Sequence, residues 1–81
     1  MRKEYLALMP ATRTSTTVGP ALTKLCGRFG RVTTVEVETG DDHTLRCYVE
    51  LDDEAGKLAL MREIGGFSFE AGVILLVPAS T

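Results

Sequence analysis

An 81-residue chain with 44% hydrophobic and 25% charged residues has the make-up of one small globular domain. No apolar run approaches the ~20 residues that span a membrane. The apolar stretch behind the basic start MRKEYLALMP is too short for a secretory signal, so the expected compartment is the cytoplasm. The net charge of −2 and the pI near 5.3 depart from the basic balance usual in nucleic-acid-binding domains. The charge is nonetheless divided. Residues 1–31 carry six basic groups against Glu4 alone, and residues 32–81 carry three basic and ten acidic groups. A local basic surface is compatible with the acidic total.

In chain order, Tyr5 to Met9 reads as a short strand stopped by Pro10. The polar stretch PATRTSTTVG reads as a loop. Gly19-Pro20 suits a helix start, with Gly19 as N-cap and Pro20 at the first helical position, where proline gives up no hydrogen bond. Leu22, Leu25, Cys26 and Phe29 then fall on one helical face, and Gly30 is placed to close the helix in the left-handed region. From Val32 the pattern alternates, with Val35 and Val37 on one side and Thr34, Glu36 and Glu38 on the other. A polar turn, TGDDH, leads to TLRCYVEL, which alternates again. Leu45, Cys47, Val49 and Leu51 face inward there, and Arg46, Tyr48 and Glu50 face outward. The two runs predict an antiparallel hairpin.

DDEAGKLALMREIGG predicts a second helix, capped by Asp52 or Asp53 and stopped by Gly65-Gly66. Its expected buried stripe holds Ala55, Leu58 or Ala59, Leu60, Met61 and Ile64, with Gly56 and Lys57 weakening its first half. FSFEAG reads as a connector. VILLV, ended by Pro78, is the last strand. Its continuous apolar run is unusual for a sheet with one wet face. If Val73, Leu75 and Val77 face the helices, Ile74 and Leu76 face outward and are expected to be partly exposed, unless Ala79 to Thr81 fold back over them.

The predicted order is β-α-β-β-α-β in one α+β domain over residues 1–81. It implies a ferredoxin-like four-stranded antiparallel sheet, with two helices on one face and the other face open. Leu22, Leu25, Phe29, Val35, Val49 and Ile64 are expected in the core, with Phe29 at its centre.

Leu22, Leu25, Phe29, Gly30 and Val32 match the helix-to-strand pattern L-x-x-L-F-x-x-F-G-x-V, with Cys26 in place of its first Phe. Thr44 to Leu51 stands where an octamer K/R-G-F/Y-G/A-F/Y-V-x-F/Y is sought, and Glu4 to Met9 fits an opening strand with Tyr5 at its aromatic position. Gly65, Gly66, Phe69 and Gly72 fit the loop after the second helix. On these residues the chain resembles the RNA recognition motif family. The resemblance implies base stacking on Tyr5 and Tyr48, with Arg46 at the third stacking position. Thr44 removes a basic residue from the octamer, and Glu36, Glu38 and Glu50 would repel phosphates on that face. Arg46 is equally suited to a cross-strand ion pair with Glu36 or Glu38.

No enzymatic constellation emerges. Cys26, Cys47 and His43 lack metal-ligand spacing, and both cysteines fall on inward positions as small apolar residues. No glycine-rich phosphate loop is present, and Ser15, Ser68 and His43 form no nucleophile–base set. The expectation is a non-enzyme without metal or cofactor. The function that the resemblance implies is weak binding of single-stranded RNA through Tyr5, Tyr48 and Arg46; the alternative is contact with a protein. The second reading uses Ile74 and Leu76 for contact with another protein or for a homodimer.

Overall fold

The computed structural model describes residues 1–40 and 42–80. Seven elements follow one another: α1 (Lys3–Leu6), α2 (Val18–Cys26), β1 (Val32–Thr39), β2 (Thr44–Leu51), α3 (Glu54–Glu63), β3 (Phe67–Phe69) and β4 (Gly72–Pro78). The strands form one antiparallel sheet in the order β1-β2-β4-β3. The α+β class and the four-stranded antiparallel sheet under two helices are as the sequence implies. The element order is not β-α-β-β-α-β. The segment read as the first strand is the short helix α1 and a turn, and the expected connector supplies the edge strand β3. Gly72–Pro78 is therefore an inner strand, hydrogen-bonded to β2 on one side and β3 on the other.

One hydrophobic core lies between the sheet and the two longer helices. β2 contributes Leu45, Cys47, Val49 and Leu51, and β4 contributes Val73, Leu75 and Val77. Both sets follow the period of two that a sheet with one buried face requires. From α2 come Val18, Leu22, Leu25 and Cys26, and from α3 and its C-cap Leu60 and Ile64. Fully burying each such aliphatic side chain stabilises the fold by about 1.5–3 kcal/mol. Phe29 is not the centre of this core. α2 ends at Cys26, and Phe29 sits in the turn beyond, half-buried at the margin. Val35 is likewise half-buried, because β1 is an edge strand.

The ends of the helices differ in detail from the sequence reading. α2 begins at Val18 with Thr17 at its N-cap, so Pro20 is its third residue. Its missing N–H is still one of those without an intrahelical partner. Gly30 does not adopt a left-handed conformation; Gly65 and Gly66 do. Asp53 caps α3 by accepting a hydrogen bond from the Gly56 N–H. The buried stripe of α3 runs through Gly56, Lys57 and Leu60, while Ala55 and Leu58 are exposed. Gly56 is required there: a Cβ would stand 2.6 Å from the Phe29 carbonyl oxygen. Lys57 buries its aliphatic stem and donates from Nζ to the Glu70 carbonyl at 3.1 Å. That bond ties α3 to the turn between β3 and β4.

Candidate functional site

The sheet face away from the helices is the open surface of the domain. Cross-strand register fixes its rows. Glu36, Tyr48, Ile74 and Phe67 lie side by side across β1, β2, β4 and β3, and Glu38, Arg46 and Leu76 form the next row. Phe69 pairs with Gly72. The absence of a side chain at 72 lets the Tyr48 ring settle over the β4 backbone. The Tyr48 and Phe69 rings meet edge to face, with centroids 6.2 Å apart and planes at 89°, a favoured aromatic arrangement. Beside them a hollow of about 360 Å³ is lined by Glu36, Glu38, Arg46, Tyr48, Phe69 and Glu70, with Ile74 beneath.

Of the five residues singled out from the sequence, four lie on this face. Tyr5 does not. It belongs to α1, half-buried against the core, and the opening strand that would have carried it to the sheet is absent. Arg46 is exposed and its guanidinium lies 3.7 Å from the Glu38 carboxylate, the one ion pair among the described residues. Leu76 is 45% exposed, as the alternation implies, whereas Ile74 is only 8% exposed. The sequence expectation for Ile74 misses because Tyr48 and the unforeseen Phe67 flank it in register on either side. Ala79 and Ser80 do not cover Leu76. Ala79 packs against the core and donates to the His43 carbonyl, and the Ser80 N–H bonds the Arg13 carbonyl. Asp41 and Thr81, which the sequence reading placed in the hairpin turn and the terminal segment, lie outside the described residues.

Phe67 and Phe69, 50% and 49% exposed, are the site residues that the sequence reading left in a connector. Their signal was the alternation F-S-F just before a turn and a strand. Three residues are too few for a period of two to stand out. Glu70 follows with φ +52°, a conformation uncommon outside glycine, and reverses the chain into β4.

The electrostatics of the face are acidic. Partial burial first, then the negative charges of Glu50, Glu70 and Glu36, raise the Tyr48 phenol above its ordinary pKa. Glu38 is balanced by Arg46; the other three carboxylates have no ion-pair partner among the described residues. The two cysteines are elsewhere, buried in the core. Burial pushes Cys26 up to about 12, with a further contribution from Cys47, and burial pushes Cys47 up to about 11. They are inert thiols rather than nucleophiles or ligands. Among the described residues no cluster of His, Cys, Asp and Glu is arranged to hold a metal ion, and no helix is long and apolar enough to cross a membrane.

Comparison of the chain with protein-family models, curated proteins and solved structures finds no match.

Proposed function

We propose that this domain is a protein-binding module whose contact surface is the open sheet face. The observation that carries the reading is the exposed apolar strip formed by Phe67, Phe69 and Leu76 around Tyr48, edged by carboxylates. Large aromatics on a flat, well-supported surface are the usual anchors of protein recognition. Nucleic acid fits this surface less well. Of the three residues that the family resemblance assigns to bases, Tyr5 is off the sheet and Arg46 is engaged by Glu38. Glu36, Glu50 and Glu70 would oppose phosphates. What favours the RNA reading is that Tyr48 and Arg46 do share the open face. Face-to-face pairing of two copies is opposed by the same carboxylates meeting their equivalents.

The test is selection of a displayed random-peptide library against the folded domain. The selected peptides are then measured against Phe69→Ser/Leu76→Ser and against Leu8→Ser, which changes an exposed apolar residue of the N-terminal segment. Both variants are first checked for native amide spectra. Peptides lost on the sheet-face variant and retained on Leu8→Ser support the reading. Peptides indifferent to the sheet-face change, or none at all, would refute it.

A further inference from the structure

The open face has one feature that an apolar contact surface does not need. Two aromatic rings stand at a right angle and give two walls of a corner, and the corner is rimmed by negative charge. Tyr48 lies in β2, and Phe69 is brought to it from the edge strand by the tight turn at Glu70. Both rings are braced. Gly72 fixes the height of Tyr48 over the sheet, and the Lys57 ammonium holds the Glu70 carbonyl, so the turn that carries Phe69 is anchored to α3. Arg46, which also lines the hollow, is in the adjacent row and faces Glu38.

Resting on the protein-binding reading above, we infer that the Tyr48–Phe69 corner receives an arginine side chain presented by an extended segment of the partner. The face of an aromatic ring attracts a cation through its quadrupole, and arginine is the cation most often found there. The planar guanidinium stacks on one ring while its edge N–H groups reach carboxylates, a geometry that an ammonium does not reproduce. Glu36 and Glu70, which line the hollow, supply those acceptors, and with Glu50 they add to the effect of burial in raising the Tyr48 phenol pKa. The hollow of about 360 Å³ is at the small end of ligand-binding cavities and suits a single side chain. Phe67 and Leu76, outside the corner, would meet the apolar residues on either side of that arginine.

The peptides selected against the sheet face provide the test. Those that depend on Phe69 and Leu76 are expected to carry an arginine. Its replacement by citrulline, equal in shape but neutral, should weaken binding roughly tenfold. Replacement by lysine should weaken binding as well. Glu36→Gln/Glu70→Gln should weaken the arginine peptide and flatten its salt dependence, while leaving the citrulline peptide unchanged. Face-dependent peptides without arginine, or equal binding by the citrulline or lysine forms, would overturn the inference and leave the protein-binding reading standing. If no face-dependent peptide emerges, both fall together.

Discussion

The Tyr48 ring lies so close over Gly72 that a Cβ at position 72 would stand 2.7 Å from two of its ring carbons and would also strike the Val49 carbonyl oxygen. The aromatic corner is therefore fitted to a glycine, and the fit is made partly by backbone, which cannot swing aside. Gly72→Ala is expected to destabilise the domain by about 1–3 kcal/mol, the usual cost of overpacking. Urea unfolding measures the loss. In the same variant the Tyr48 and Phe69 ring resonances should shift; unmoved rings would contradict the contact.

Phe29 and Leu22 separate the sequence reading of the core from the structure. Leu22 is fully buried on α2, and Phe29 is half-buried in the turn after it. Leu22→Ala should cost about 2–5 kcal/mol. Phe29→Ala should cost less than the roughly 3–5 kcal/mol expected for a core phenylalanine, because part of its surface is already in water. Parallel denaturation of the two variants decides the matter, and a larger loss at Phe29 would move the core centre back to it.

The buried thiols set an alkaline limit. Cys26 and Cys47 have folded pKa values of about 12 and about 11 against 9.0 without the fold's influence. An acid whose pKa is raised by folding supports the native state fully below its unfolded pKa. It loses that support as pH climbs toward the folded value. Stability should therefore be unaffected by these groups below pH 9.0 and should decline between there and about 11 to 12. Alkylation by iodoacetamide near neutral pH should follow global unfolding rather than proceed on the native protein, which mass spectrometry at increasing urea would reveal.

Short single-stranded RNA pools should leave the Tyr48 and Phe69 resonances unmoved even at low salt, where phosphate contacts are strongest. Saturable shifts at Tyr48 and Arg46, together with loss of affinity in Tyr48→Ala, would instead favour the nucleic-acid reading that the family resemblance implies.

The parts of the fold legible in the sequence are those whose pattern is local and long enough. The first run alternates from Thr34 to Glu38 and the second from Thr44 to Leu51, and they lie in the strands Val32–Thr39 and Thr44–Leu51. The Asp53 cap and the stop at Gly65-Gly66 follow from the chemistry of helix ends. Tyr5 to Met9 was ambiguous because a short apolar run has no clear period. Its conformation is fixed from a distance: the Arg2 N–H donates to the Ile64 carbonyl, and the Arg2 guanidinium to that of Arg62. Lys57, read as a weakness of α3, is a buried tether whose acceptor lies thirteen residues on. Half of the candidate site was visible because Tyr48, Arg46 and Leu76 obey alternation. Phe67 and Phe69 were not, since a three-residue strand is defined by the neighbour it pairs with.

β1 is a long edge strand, and its outer backbone groups are unpaired by any other strand of the sheet. Such an edge invites another chain to extend the sheet. Glu36 and Glu38, alternating along β1, would crowd like charges together if two copies paired antiparallel near the strand's middle, and the register shift between Val32 and Thr34 disturbs the flat template at its start. The carboxylates that border the aromatic corner thus also guard the free molecule against growing into ribbons of itself. Any neutralisation of that strand made to change recognition would be felt in colloidal stability as well.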